Sequence, residues 1–340
     1  MTNNRWMNAM LFIVVVFYSF VLISHLRVSK SEKAKAISEN AQLLGEMRQM
    51  EETARRNLLE RPELLNTLSA LLTTVFFFGL FLDIRLLVHR RRGQSWPENS
   101  LNEANICWGT REVVGGFIFL LFAEACLFLA QEVAHRWLGN GGPLPDVWMF
   151  GASLLRDLLV AIFVWALIKA RHGQSLRELG LRFERVTESV RMGLVGYVAV
   201  LPSLLLTFLA VAALLNFFSM EPVPQNVVQI FLKDSTSPYL IYITLFVALL
   251  GPVLEEIFFR GFAYAGLRKR FGIWGAACIA SAVFAALHMN AVAFVPIFLL
   301  GMFLTYLYER SGSLIPSITA HALHNGIMVA LTLGFKSLSS

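Results

Sequence analysis

The sequence predicts an all-α, polytopic membrane protein with about nine transmembrane helices. Hydrophobic residues make up 56% of its 340 residues and charged residues 15%, and the mean hydropathy is +0.61. Soluble domains are about half apolar and roughly a quarter charged. Several apolar runs reach the roughly 20 residues that a helix needs to cross a bilayer. Because no run alternates as a barrel strand would, helices are the expected spanning structure.

Nine crossings are predicted from the apolar runs. They are residues 7–23, 64–82, 113–133, 147–168, 193–218, 239–267, 273–289, 292–308 and 314–333. Clusters of Arg and Lys follow the second, fourth and sixth crossings, which indicates that these ends face the cytoplasm. Alternation then places the N-terminus inside. The basic residues Arg27, Lys30, Lys33 and Lys35 after the first crossing oppose this orientation, so the direction of the first crossing stays open.

The chain divides into three predicted parts. Residues 1–63 hold an uncleaved anchor helix and a polar segment, residues 64–171 add further transmembrane helices, and residues 172–340 form the core that carries the motifs described below. In the polar segment 30–62, apolar residues recur every three or four positions, which predicts an amphipathic helix. We expect it to lie solvated on the membrane surface or as a unit of its own, where it could contact a partner protein.

Two further features lie outside the main motifs. Glu124 is an intramembrane carboxylate with either a cavity-lining or a packing role, and Arg156 and Asp157 are placed to form a local pair. In the basic loop after the fourth crossing, residues 175–181 are predicted to form a short interfacial helix that ends at Gly180.

Charge and cysteine content exclude some classes of protein. The net charge is +6, but the basic residues cluster beside apolar runs as topology signals do, and no basic groove with interleaved aromatic residues is present. A nucleic-acid partner is therefore not expected. The three cysteines include no C-x-x-C spacing and do not indicate a disulfide framework.

The most informative stretch is LEEIFFRG at residues 254–261, inside the sixth crossing. Ionisable residues within a membrane are costly and indicate a functional site by default. Glu256 and Arg260 are four residues apart, so a helix places them on one face as a pair. Glu255 points about 140° away from Arg260. The motif therefore predicts one structurally paired carboxylate and one carboxylate without a cation, and the latter is the more reactive candidate.

Two more polar pairs follow in the last third of the chain. Phe284 and His288 share one helix face, and His321 and Asn325 share another, with His324 close by. A single histidine in an apolar helix is usually a packing residue. Two such helices, together with an unpaired glutamate on a third, favour a shared site.

These residue types suit the hydrolysis of an amide. An unpaired carboxylate such as Glu255 can act as a general base towards water, and a neutral His288 can orient the same water. The tetrahedral intermediate needs donors for its oxyanion, and the Asn325 amide with the adjacent His321 N–H could supply them.

Alternatives from other classes remain open. Two histidines and a glutamate could bind zinc in a membrane protease, but no H-E-x-x-H motif is present, so a metal site ranks second and none is assigned. A non-enzymatic scaffold or immunity protein would keep the polar cluster for folding and bind a peptide or a membrane partner. A proton-coupled transporter would also contain buried Glu and His, but no inverted repeat supports it.

The three motifs E-E-x-x-x-R, F-x-x-x-H and H-x-x-x-N resemble, in order and type, those of the CAAX protease and bacteriocin-processing family. These Abi-type intramembrane glutamic endopeptidases include the CAAX prenyl endopeptidases, and the resemblance covers about residues 175–334. It implies that Glu255 and His288 activate water, that His321 and Asn325 form the oxyanion site, and that Glu256 and Arg260 are orienting residues.

The resemblance implies no metal and no cofactor. It implies a peptide or membrane-protein substrate in the lipid bilayer. We expect an integral membrane protein of the prokaryotic cytoplasmic membrane.

Overall fold

The computed structural model of the protein describes residues 5–26, 30–91, 101, 106–138, 146–220, 226–233 and 239–340. Within these ranges all regular structure is helical, which confirms the all-α prediction. The helices are α1 (Arg5–Leu26), α2 (Lys30–Leu59), α3 (Pro62–Arg91), α4 (Thr110–Leu138), α5 (Asp146–His172), α6 (Val186–Phe217), α7 (Asn226–Lys233), α8 (Leu240–Leu245), π1 (Phe246–Leu250), α9 (Gly251–Glu256), π2 (Ile257–Tyr264), α10 (Ala265–Leu287), α11 (Phe294–Ser311) and α12 (Ile315–Ser339).

Six helical runs in the described part of the chain are long and apolar enough to cross a membrane. They are Pro62–Arg85, Thr110–His135, Phe150–His172, Val186–Phe217, Leu240–Leu287 and Ile315–Ser339. This supports the prediction of a polytopic membrane protein. Every predicted crossing coincides with a helix, although the first lies on a shorter apolar stretch, Trp6–Val21, and the eighth on the 18-residue helix α11.

The run Leu240–Leu287 contains two predicted crossings. Its 48 residues would span about 72 Å as a straight helix, more than twice the hydrocarbon thickness of a bilayer. Gly272 interrupts the run with non-helical backbone at φ 67° and ψ 179°. The positive φ is accessible to glycine without steric cost. The chain therefore changes direction at Gly272, between the sixth and seventh predicted crossings.

The main hydrophobic core surrounds π2. Side chains from Ile257 to Leu267, in π2 and the first turn of α10, pack with buried residues of α4, α5, α11 and the rest of α10. A second cluster joins α6, α11 and α12. Neighbouring helices approach closely where glycine faces a large side chain, as at Gly116, where an added Cβ would clash with the ring of Phe262. Small residues allow such close helix contacts in membrane proteins.

The amphipathic helix α2 is not a free unit, which corrects our expectation for this segment. It packs against α12 and α3, Ala54 is buried, and the side-chain amide of Asn57 donates to the carbonyl of Leu338 over 2.8 Å. Part of the apolar stripe that predicted a surface helix therefore contacts the last helix of the chain. The side chains of Lys30, Lys33 and Lys35, and all of Arg27, lie outside the described residues.

The short helix predicted at 175–181 is a single turn with the start and stop signals of a helix. Glu178 accepts from the backbone N–H of Ser175 over 2.8 Å, as in a capping box. The N–H of Leu181 donates to Leu176 and that of Gly180 to Arg177, with Gly180 at φ 99°, which is a Schellman arrangement. No room for a second turn remains between these signals, so the segment does not extend into a helix.

Candidate active site

The helix that carries the two glutamates changes its register on both sides of them. The π-helices π1 and π2 flank α9, which ends at Glu256. Such π segments are rare and are frequent at functional sites. At the end of π1, the N–H of Gly251 donates to the carbonyl of Phe246, five residues earlier. The next residue, Pro252, has no N–H, so the next carbonyl in this register, that of Val247, receives no hydrogen bond from it.

Asn325 supplies the donor that Pro252 lacks. Its side-chain Nδ2 donates to the carbonyl oxygen of Val247 over 2.9 Å. This hydrogen bond connects α12 to π1 just before the glutamates. It uses one N–H of the amide, and the second N–H makes no hydrogen bond within the described ranges. Asn325 thus has a structural contact that its spacing from His321 did not predict.

Glu256 is the centre of a buried polar cluster. Its Oε1 accepts from Arg260 Nη1 over 2.6 Å and from His321 Nδ1 over 2.9 Å. Glu256 is 0% and Arg260 1% exposed. Arg260 also donates from Nη2 to the carbonyl of Gly301 over 3.2 Å, and its guanidinium lies 4.5 Å from the ring centre of Phe284. The predicted pair of Glu256 and Arg260 is therefore present, with His321 as a third member.

Glu255 is placed differently from its neighbour. Its Oε2 is buried and has no hydrogen-bond partner among the described residues, as is also true of Glu256 Oε2. The difference is that Glu255 lacks the hydrogen bonds from Arg260 and His321 that hold the other oxygen of Glu256. The nearest ionisable atom recorded for Glu255 is His321 Nε2 at 3.7 Å, which is too far for a direct hydrogen bond. Because an ionised Glu256 can only accept, His321 donates from Nδ1, and its Nε2 faces Glu255. One histidine thus lies between the two carboxylates.

The ring of Phe284 lies between the two site histidines. Its centre is 4.8 Å from that of His288 and 5.7 Å from that of His321, both edge-on. His288 Nδ1 donates to the carbonyl of Phe284 over 2.8 Å, so Nε2 is the acceptor nitrogen of the neutral ring. The structure records no direct contact between His288 and Glu255.

Two contacts around the site were not predicted from the sequence. The hydroxyl of Tyr197 on α6 shares a hydrogen bond of 3.1 Å with Nδ1 of His324, so His324 belongs to the packing of α6 against α12. Trp108, before α4, donates from Nε1 to the carbonyl of Phe262 in π2 over 2.9 Å. Because both partners are remote in sequence, no spacing pattern indicates these pairs.

A second polar cluster lies on α4 and α5. Arg156 donates from Nε to Asp157 over 2.8 Å and from Nη1 to Glu124 over 3.0 Å. The predicted local pair is thus present, and Glu124 joins it from the neighbouring helix.

No group of three or more His, Cys, Asp or Glu in the described ranges is arranged to hold a metal ion. His321 and His324, whose spacing left zinc open, have separate contacts: His321 with Glu256 and His324 with Tyr197. The three cysteines are free.

The fold and this cluster define a helical, polytopic membrane protein with a buried polar cluster of Glu255, Glu256, Arg260 and His321. Residues 237–327 match the family model described as Type II CAAX prenyl endopeptidase Rce1-like. The matched segment contains all seven predicted site residues and confirms the resemblance to the CAAX protease and bacteriocin-processing family. The match is narrower than the predicted 175–334. Comparisons with curated proteins and with solved structures gave no significant match.

Proposed function

We propose that this protein is an intramembrane endopeptidase that hydrolyses a peptide bond of a membrane-associated protein or peptide, with Glu255 as the base that activates water. We place it in the prokaryotic cytoplasmic membrane. The observation that carries the proposal is the buried Oε2 of Glu255, which lacks a hydrogen-bond partner in the described part of the chain and lies 3.7 Å from His321 Nε2. The family match at residues 237–327 supports the reaction class.

The first step is the attack of water on the peptide carbonyl. A water beside Glu255 Oε2 would donate one proton to this carboxylate, and its oxygen would form a bond to the carbonyl carbon. His288 Nε2 is an acceptor that can hold the other hydrogen of the water, because His288 Nδ1 donates to Phe284. The product of this step is a tetrahedral intermediate with a negative oxygen and a protonated Glu255.

The oxyanion needs donors that are already in place. The second N–H of Asn325 is suited to this role, because the first fixes the amide to Val247. His321 can donate from Nε2 only when it carries both protons, and Glu256 at 2.9 Å would then balance its charge. In the second step the C–N bond breaks, and Glu255 returns its proton to the leaving amine. Removing one such donor typically costs about 100-fold or more in rate.

The test is a comparison of new protein N-termini in membranes of cells that contain the wild-type protein, the Glu255→Gln variant or no protein. Glu184→Gln is the matched control, because Glu184 is an exposed carboxylate paired with Arg177. All variants must be equally abundant. We expect a membrane peptide whose new terminus requires the wild type or Glu184→Gln and is lost with Glu255→Gln.

Other outcomes separate the competing functions. If Glu255→Gln restores the wild-type state of a deletion strain, the protein acts as a scaffold and the proposed hydrolysis is wrong. If cleavage by purified protein stops with the chelator 1,10-phenanthroline and returns with zinc, the metal-dependent alternative replaces the glutamate mechanism.

A further inference from the structure

Helix α5 runs beside the glutamate helix in the same direction. The ring of Phe150 contacts that of Phe246, with centres 6.3 Å apart. Further along both helices, Val160, Val164 and Ile168 pack in one buried cluster with side chains from Ile257 to Leu267. Later residues of α5 therefore contact later residues of the glutamate helix, as expected for two parallel helices.

This register places Asp157 at the level of the glutamates. Phe150, Asp157 and Val164 are spaced by seven residues and share one helix face. Phe150 on α5 lies opposite Phe246, and the two parallel helices rise by the same distance per residue. Asp157, seven residues after Phe150, therefore lies opposite the residues about seven positions after Phe246, close to 253–255. Asp157 is the charged position in this contact face. Helix α5 packs against both α9 and π2, which places the charges of Arg156 and Asp157 beside the helix that carries Glu255.

The charges on α4 and α5 are held as an ion triad of Glu124, Arg156 and Asp157. Arg156 uses Nε for Asp157 and Nη1 for Glu124. The side chains are 12% exposed for Asp157, 27% for Arg156 and 48% for Glu124. A triad kept only for packing could be replaced by apolar residues at little cost, and charges within a membrane-spanning segment usually serve a function.

We propose that the ion triad is an electrostatic part of the active site, in which Asp157 and Arg156 are positioning residues that set the charge facing Glu255. The inference rests on the proposed function. Among the described residues, the other charged or titratable groups around Glu255 are Glu256 on α9, Arg260 on π2 and His321 on α12. The triad lies outside the matched segment 237–327. The proposal therefore adds residues of α4 and α5 to a site that the matched segment alone does not contain.

The proposal predicts opposite effects for the two charges. Glu255 must be ionised to take a proton from water. In Arg156→Gln, Asp157 remains without its cation beside Glu255 and opposes that ionisation, so cleavage needs a higher pH. In Asp157→Asn, Arg156 remains and favours the ionised form, so cleavage persists to a lower pH. A neighbouring charge in a partly buried site typically shifts such a transition by about one pH unit or more.

The experiment uses purified full-length protein and, as the substrate source, solubilised membrane proteins from cells that lack it. New N-termini are quantified by mass spectrometry across the pH range. We expect the acidic limb of the profile to move up by about one unit in Arg156→Gln and down by about one unit in Asp157→Asn. Arg156→Lys, which keeps the charge, should stay close to the wild type. The double variant Arg156→Gln/Asp157→Asn should return towards the wild-type profile.

Controls make the outcomes distinguishable. Arg177→Gln and Glu184→Gln break an exposed ion pair in the loop before α6 and should leave the profile unchanged. The inference is overturned if Glu255→Gln is inactive while Arg156→Gln and Asp157→Asn keep the wild-type profile, shift it in the same direction, or only lose rate at every pH. If Glu255→Gln cleaves as well as the wild type, the proposed function itself fails.

Discussion

His321 and Glu256 form a buried hydrogen bond of 2.9 Å between Nδ1 and Oε1, although they are 65 residues apart in the chain. The same Oε1 accepts from Arg260. One carboxylate thus fixes the orientation of a histidine and the position of a buried cation. The neighbouring Glu255 has no comparable partner in the described ranges. Substitution of Glu255 and substitution of Glu256 should therefore have different effects on stability.

Glu256→Gln is expected to reduce both stability and activity. A neutral amide leaves Arg260, which is 1% exposed, without its counter-charge, and breaking a buried ion pair in this way costs about 3–5 kcal/mol. Glu255→Gln removes no hydrogen bond and should abolish cleavage while leaving the melting temperature close to that of the wild type. The measurements are thermal unfolding of purified protein in detergent and quantified cleavage. Equal melting temperatures for both variants would contradict this division of roles.

The backbone amides of the turn at residues 175–181, before α6, are expected to lose their protection from hydrogen exchange in acid. The hydrogen bond from the Ser175 hydroxyl, over 2.5 Å, lowers the pKa of Glu178 from its ordinary value of 4.5. Because the folded pKa lies below the unfolded one, the stabilisation is complete above about pH 4.5 and is lost as the pH falls through the folded pKa.

Amide exchange measures this effect locally, after correction for the intrinsic exchange rate. The N–H groups of Gly180 and Leu181 close the turn and should be better protected near pH 6 than near pH 3. In Glu178→Gln, protection should be low at both values. A variant that keeps the wild-type difference would show that another group causes it.

Sequence reasoning predicts the contacts that arise within one helix. The four-residue spacing of Glu256 and Arg260 gives a pair because a helix repeats every 3.6 residues, and the pair is present at 2.6 Å. The same spacing predicts that His321 and Asn325 share a face of α12. The all-α membrane fold follows from composition and run length for the same local reason.

Contacts between distant segments leave no such pattern. Nothing in the spacing of Glu124 and Arg156 indicates that they meet at 3.0 Å, because α4 and α5 pack through tertiary contacts. The periodicity assumes a regular α-helix. It therefore predicts neither the π register before Pro252 nor the hydrogen bond from Asn325 to the carbonyl of Val247. The prediction of a helix at 175–181 was wrong because its start and stop signals enclose only one turn.

Trp108→Phe is expected to destabilise the glutamate helix from outside the matched segment. The indole N–H donates to the carbonyl of Phe262 over 2.9 Å, and Trp108 is 1% exposed. Phenylalanine keeps much of the ring packing and leaves this buried carbonyl without its donor, which costs about 1–3 kcal/mol. The matched control is Trp274→Phe, since Trp274 is 71% exposed. Thermal unfolding should separate the two variants, and equal melting temperatures would show that the hydrogen bond to Phe262 contributes little.

Asn325→Ala is expected to affect the fold as well as the reaction. The variant removes the donor to the carbonyl of Val247 and leaves an acceptor that Pro252 cannot satisfy, at a cost of about 1–3 kcal/mol. It also removes the proposed oxyanion donor. Loss of activity in Asn325→Ala alone therefore cannot identify a catalytic role, and a second change is needed.

Pro252→Ala supplies that change, because it introduces a backbone N–H that can donate within the helix. If Asn325 compensates for the missing N–H of Pro252, the stability losses of the two substitutions should not be additive. The double variant should then be more stable than the sum of the single effects predicts, by about 1 kcal/mol. Its cleavage rate should stay as low as that of Asn325→Ala, since the new N–H serves the helix and not the oxyanion. Additive stability losses would contradict the structural role of Asn325, and recovered cleavage would contradict its role as an oxyanion donor.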